Sequence, residues 1–294
     1  MEYVTTHARS LAQAVELIAS GIPNVVSRIP LWDLMSRASL VRDGLFDFDG
    51  TLHTGNTWAV VGRRLPEILR EKDAAIRTWY WSQLHTEAPR RSLDDPDWFH
   101  GHMPPQNQGV VDGAWVANDV HWYMEAGLTR DDFEAVAEEL GARSGAEELL
   151  QLMRYRAVVT FGIEQVAKRW LKNRDISAAV AGTRLMFDED GRLTGHHPNI
   201  VASPTKEYAA RRFREISEST EQETLVVGDS VVDVHMMGGD SFNVLVIPPS
   251  ELGKKLRDFR ENNLATMWDR ITMILADDSL EPLVTLLREA RQTT

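Results

Sequence analysis

The stretch Gly44-Leu45-Phe46-Asp47-Phe48-Asp49-Gly50-Thr51-Leu52 constrains this chain more than any other. Its apolar residues read as a buried strand, and two carboxylates interrupt the run two positions apart, followed at once by Gly-Thr. Side chains alternate along a strand, so Asp47 and Asp49 leave the backbone on the same side where the strand ends. Two unpaired carboxylates this close disfavour each other's ionisation, and both resist desolvation. A cation such as Mg²⁺, or a proton shared during turnover, resolves that conflict. The stretch therefore predicts a site.

Apolar periodicity around it predicts helices over 8–20, ended by Gly21 and Pro23, and over 31–39. From Thr57 to Met153 the reading is all-helical, with a long helix over 65–87 whose first turn holds Pro66. A Pro-, Gly- and Asp-rich loop follows over 94–109, and three helices then span 115–126, 129–140 and 144–153. Thr129 with Asp132 three residues on resembles an N-cap arrangement. Beyond it, short apolar strands at 157–160, 176–181, 224–227, 243–247 and 271–275 alternate with helices at 163–173, 206–216, 231–237, 251–262 and 280–291. Asp188-Glu189-Asp190-Gly191 signals a hairpin. That rhythm implies an α/β fold: a doubly wound parallel sheet covered on both faces, built from 1–56 and 154–294, with 57–153 inserted as a helical unit.

In such a sheet the active site lies outside the carboxyl ends of the strands. Those ends carry Asp47 and Asp49, then Thr160-Phe161-Gly162, read as a hydroxyl plus backbone amides at a helix N-terminus, then Gly228-Asp229-Ser230 with Asp233 one turn on. Lys206 stands at a helix start after Pro204-Thr205. Four carboxylates, a lysine, a hydroxyl and a helix N-terminus suit phosphoryl transfer. A carboxylate can attack phosphorus, and a second can protonate the leaving oxygen. Lysine, hydroxyl and amides can meet the charge that builds on the phosphoryl oxygens. Carboxylates are the hard ligands Mg²⁺ takes.

The set Asp47-Phe48-Asp49-Gly50-Thr51, Thr160, Lys206 and Gly228-Asp229-Ser230 with Asp233 resembles the haloacid dehalogenase superfamily, in the right order along the chain. The resemblance implies a Rossmann-like core with a helical cap that closes over the substrate. It implies Asp47 as nucleophile and Asp49 as general acid/base, with Thr160 and Lys206 on the phosphoryl group and Thr51, Phe161 and Gly162 beside the substrate. It implies Mg²⁺ held by Asp47, the backbone carbonyl of Asp49 and Asp229, with Asp233 in support. Asp49 favours phosphoester chemistry over dehalogenation.

Further stretches, Phe187 to Gly195, Met236-Met237, Ala276 to Glu281 and Glu125 to Thr129, are similar to the pyrimidine 5′-nucleotidase branch (cytosolic 5′-nucleotidase III). That implies hydrolysis of a nucleoside 5′-monophosphate. Two positions depart from the branch. Thr160-Phe161-Gly162 stands for Ser-Ala-Gly, and Ala114 precedes Trp115 where the branch has a base-reading glutamate. Trp98 and Trp115, in or beside the loop, are read as substrate contacts, and Trp79 and Trp122 as core. Enzyme alternatives are a sugar- or amino-acid-phosphate phosphatase and a phosphotransferase; the non-enzyme alternative is a regulatory protein that binds a phospho-ligand.

The 294 residues carry a formal charge of −12, which speaks against nucleic-acid or anionic-membrane binding. There is no cysteine, so disulfides and thiolate chemistry are excluded. No signal-peptide pattern and no run of about 18 apolar residues is present, and the expected location is the cytoplasm. The expected partner is a small phosphorylated metabolite.

Overall fold

The computed structural model describes residues 5–21, 24–75, 108–198, 200–253, 255 and 268–293. Ten strands are present among them. They are β1 Thr5–His7, β2 Val25–Ser27, β3 Asp43–Phe46, β4 Arg156–Ile163, β5 Ala179–Thr183, β6 Leu185–Phe187, β7 Leu193–His196, β8 Thr224–Gly228, β9 Phe242–Val246 and β10 Met273–Leu275. Eight form one sheet in the order β1-β2-β10-β9-β8-β3-β4-β5, and β6 and β7 form a separate antiparallel hairpin. Every neighbouring pair in the large sheet is parallel except β2 with β10.

From β3 the chain steps outward through β4 and β5. It then returns to the other side of β3 with β8 and moves outward again through β9 and β10. The strand order therefore reverses between β3 and β8, and in open parallel sheets the carboxyl ends at such a reversal are where ligands bind. Both strands are wholly buried, as strands covered on both faces must be. Successive side chains go to opposite faces. Leu45, Val226, Leu245 and Ile274 join one core, while Phe46, Leu225, Val227 and Val244 join the other.

The predicted helices at the N-terminus are Leu11–Ala19 and Leu31–Leu40. Ser10 caps the first, its hydroxyl accepting from Gln13 N at 3.2 Å, and Gly21 ends it at φ 72°. The periodicity missed β1 and β2, which are three residues each and too short to show alternation. β4 runs three residues beyond its predicted end, through a register shift between Val159 and Ile163, so the next helix is Glu164–Lys172. The strand expected at 176–181 sits at β5. Asp175 adopts φ 53° and Ile176 N closes back onto Leu171 O at 3.1 Å, so the helix end consumes those residues.

Between β3 and β4 the described residues hold helices and no strand: Thr57–Gly62, 67–75, Gln108–Glu125, Arg130–Glu139 and Ala146–Gln151. Thr129 is the predicted N-cap, and the Asp132 carboxylate accepts from its backbone N–H at 2.8 Å. Pro66 lies just before its helix, whose Leu69 and Arg70 amides close onto its carbonyl. The rest of the predicted 65–87 helix, the loop through residue 107 and most of the helix expected over 251–262 lie outside the described residues. The helical stretch and the hairpin are tied by Arg130 N to Gly191 O at 2.8 Å and Leu193 N to Leu128 O at 3.2 Å. Among the described residues, no helix is long and apolar enough to cross a membrane.

Candidate active site

Asp47 follows β3 directly, and its amide donates to Val227 O of β8 at 2.9 Å. Asp229 follows β8. These two carboxylates and Asp233 are buried together, with one oxygen of each within 4.8 Å of the others. Asp233 sits in the 3-10 helix Val231–Met236, and its Oδ2 accepts from Ser230 N at 2.9 Å and Ser230 Oγ at 2.6 Å. Lys206 lies in the first turn of helix Ser203–Ser217, 2 % exposed. Its Nζ donates to Asp47 Oδ1 at 2.7 Å and to Asp233 Oδ1 at 2.5 Å.

Burial dominates the electrostatics. It pushes Asp47 well above the usual carboxylate range, helped by the nearby charge of Asp233 and opposed by Lys206. Asp229 is raised for the same first reason, with Lys255 opposing. Burial would raise Asp233 too, but Lys206 and the Ser230 hydrogen bonds outweigh it and hold that carboxyl low. Burial alone would lower Lys206, yet Asp233 and Asp47 outweigh it and hold the ammonium above its ordinary value. Three buried carboxylates thus face two lysines, 206 and 255. An all-oxygen donor set short of positive charge fits a hard dication such as Mg²⁺.

Asp49 takes no part in that cluster through its carboxylate. Oδ1 lies 2.7 Å from His53 Nε2, and both oxygens accept from Thr57 N at 3.1 Å, with Thr57 Oγ1 adding a bond to Oδ2 at 2.9 Å. Gly55 N donates to His53 Nδ1 at 2.9 Å, so Nε2 carries the hydrogen and His53 is the donor to Asp49. Asn56 caps helix Thr57–Gly62, accepting from Ala59 N at 3.0 Å, which fixes the Thr57 amide beneath Asp49. The predicted metal role of Asp49 rests on its backbone carbonyl, which this arrangement leaves to the loop.

Gly50 adopts φ 79°, and a Cβ there would lie 2.6 Å from Asp229 Oδ2, so glycine is required on both counts. Thr51, expected beside the substrate, is wholly buried and donates its hydroxyl to Asp229 Oδ1 at 3.3 Å. It braces the acid cluster instead. Thr160 is buried near Asp49: a Cβ on Gly162 would come within 3.0 Å of Thr160 Oγ1 and 2.8 Å of both Asp49 Oδ2 and Thr57 Oγ1. The expectation of amides at a helix N-terminus is corrected, because Phe161 and Gly162 belong to β4 and Gly162 N donates to Thr160 Oγ1 at 2.9 Å.

The Phe161 carbonyl accepts from Trp58 Nε1 at 3.3 Å and Thr183 Oγ1 at 2.9 Å. Its half-buried ring stacks on Trp115, 5.1 Å between centroids at 23°. Trp115, read as the first residue of a helix beside the loop, is not at a helix start. It lies in helix Gln108–Glu125, 5 % exposed, with Trp58 edge-on at 5.1 Å. The tryptophan is a core residue behind Phe161, and Phe161 carries the ring that reaches outward. Trp122 is partly buried against the core, as expected, and Trp98 and Trp79 lie outside the described residues.

Sequence reasoning missed His53, Thr57, Arg143 and Lys255. Buried Arg143 donates to Thr51 O, Gly50 O and Asp278 O at 2.9, 2.6 and 3.0 Å, which locks the loop after Asp49 to the C-terminal segment. A lone arginine before Ser144-Gly145 carries no such signal, and Lys255 with Glu251 reads as an ordinary i,i+4 pair on a solvated face.

The family model for haloacid dehalogenase-like hydrolases matches residues 45–238, which begin at β3 and include Asp47, Asp49, Thr160, Lys206, Asp229 and Asp233. The chain belongs to that hydrolase family. No curated protein matches it by sequence. Among solved structures it is similar to cytosolic 5′-nucleotidase IIIB bound to cytidine, at TM-score 0.60 and 13 % identity over 95 % of this chain and 97 % of that one. It is similar to a substrate-bound phosphoserine phosphatase complex, at 0.56 and 15 % over 83 % and 97 %. A probable phosphoserine phosphatase from Vibrio cholerae gives 0.56 and 14 % over 88 % and 70 %. At these identities the likeness is one of fold.

Proposed function

We propose that the protein is a Mg²⁺-dependent phosphomonoesterase working through an aspartyl-phosphate on Asp47. The observation that carries this reading is Lys206 bridging Asp47 and Asp233, with Asp229 alongside, at the carboxyl ends where β3 meets β8. A carboxylate oxygen of Asp47 forms a bond to phosphorus as the bond to the leaving oxygen breaks, and Asp49 gives that oxygen its proton. Water then attacks the phosphoryl group, Asp49 takes the proton, and phosphate leaves with Asp47 restored. Asp47, Asp229 and the Asp49 carbonyl would hold Mg²⁺, with Asp233 fixing Lys206 and the loop of Asp229. The ion supplies charge for the phosphoryl oxygens. Lys206 and Thr160 add donors to them.

The favoured substrate is a nucleoside 5′-monophosphate in the cytoplasm. The motif resemblance and the fold shared with a cytidine-bound nucleotidase support it, and the half-buried Phe161 ring, stacked on Trp115 and next in sequence to Gly162, offers an aromatic surface. Residues 57–153 act as the lid that excludes water and reads the leaving group. An amino-acid phosphate is the second reading, supported by the fold shared with phosphoserine phosphatase. Phosphate release measured over nucleotides, sugar phosphates and phosphoserine, ranked by kcat/KM and repeated with acceptor alcohols, tests it. A nucleoside monophosphate ranked first supports the reading, and no release from any phosphomonoester contradicts it.

A further inference from the structure

Among the described residues at the acid cluster, the chemistry above gives Lys255 no task. Lys255 lies beyond β9, past the turn Pro249–Glu251, and its Nζ is bonded to Asp229 Oδ2. Its side chain is 12 % exposed. Burial disfavours its charge, but Asp229 outweighs burial and keeps the ammonium protonated. The other Asp229 oxygen accepts only the long Thr51 hydroxyl bond, so Lys255 is the principal counter-charge on this carboxylate among the described residues.

A dication on Asp229 and an ammonium on the same carboxylate repel, and more strongly in a buried site than in water. Metal entry must therefore move Lys255 or be weakened by it. A destination is at hand: Glu251, one turn earlier and 46 % exposed, has Oε2 4.0 Å from Nζ. The lysine stands between an inner carboxylate that a metal would claim and an outer one that it would not.

We propose that Lys255 is a displaceable counter-cation, filling Asp229 when metal is absent and passing to Glu251 when a divalent ion enters. It thereby sets metal affinity by competition. The inference rests on the acid cluster being the metal site. A lysine that merely braced the cluster would give the opposite result on removal: its carboxylates would loosen and metal binding would weaken. Removing a competitor strengthens binding.

Titration calorimetry with MgCl₂ on the chelator-treated full chain separates these. Lys255→Met is expected to bind Mg²⁺ about tenfold tighter than wild type, the change a tenfold competing occupancy would produce. Glu251→Gln, which removes the outer partner from an exposed position, is expected to bind Mg²⁺ more weakly. Metal-free Lys255→Met should also melt below metal-free wild type, with the gap closing in saturating Mg²⁺. Equal or weaker binding by Lys255→Met overturns the proposal. Should that variant not fold, unchanged affinity in Glu251→Gln overturns it. Absence of Mg²⁺ binding in wild type and both variants removes the metal reading itself, and the role of Lys255 with it.

Discussion

The ammonium of Lys206 meets the Asp47 carboxylate at 2.7 Å across 159 positions of chain. Burial disfavours the charge of both: Asp233 and Asp47 outweigh it and hold Lys206 protonated, while Lys206 opposes but does not cancel the rise that burial imposes on Asp47. Asp47→Asn should keep this contact as a neutral hydrogen bond and keep the fold. Turnover should fall by at least about a thousandfold, since an amide cannot form the acyl phosphate. Phosphate release beside circular dichroism checks both halves.

Removing the lysine does the reverse. Lys206→Met leaves Asp47 and Asp233 buried without their shared cation, and unpaired buried charge costs about 3–5 kcal/mol. Denaturant unfolding of the metal-free protein should show a loss of that order, and Mg²⁺ should recover part of it by supplying positive charge nearby.

The pH dependence of metal-free stability follows from opposed carboxylates. Asp47 and Asp229 are raised in the folded state, so folding favours their protonated forms. Their contribution to stability grows as pH falls through the raised folded value of Asp47, and is complete near the unfolded value of about 3.9. Asp233 is lowered, so its contribution is present above the unfolded value and is lost only as pH falls further, through its folded one. Unfolding followed from pH 7 downward should therefore show stability rising before it falls. In Asp47→Asn the rise should be smaller.

His53 donates to Asp49 and touches no reacting atom. His53→Ala should lower kcat about tenfold, the usual cost of losing a group that orients a catalytic one, with KM little changed. Steady-state kinetics on the best substrate of the panel tests this.

Arg143 joins three carbonyls that have no other reason to converge. Arg143→Met strands the buried carbonyl of Thr51, at about 1–3 kcal/mol for an unsatisfied buried group, and releases the more exposed ones of Gly50 and Asp278. A lowered Tm with a similar denaturant slope is the expected signature.

How much of this was legible beforehand depends on the range of the signal. Asp47, Asp49, Lys206, Asp229 and Asp233 could be read because each sits at a strand end or helix start, and local patterns mark those places. The order of β3, β4 and β8 along the chain then brings them together. The bond from His53 to Asp49 left no mark, because a histidine seven residues past a strand end has no periodic meaning. Trp115 stands at the start of the expected 115–126 helix, beside the loop; the helix in fact begins at Gln108, so Trp115 lies two turns in and is buried in the core. Thr51 and Gly162, expected to touch the substrate, lie against Asp229 and Thr160. Their hydrogen bonds turned inward because both stand beside buried acceptors, a tertiary fact no spacing records.

The most direct test of the account is to quench wild-type protein in acid during turnover of its best phosphomonoester and map the covalent phosphoryl group by mass spectrometry. The account predicts one adduct, on Asp47, that is absent from Asp47→Asn. Sustained turnover by Asp47→Asn, or a phosphoryl group carried on another residue, would contradict it.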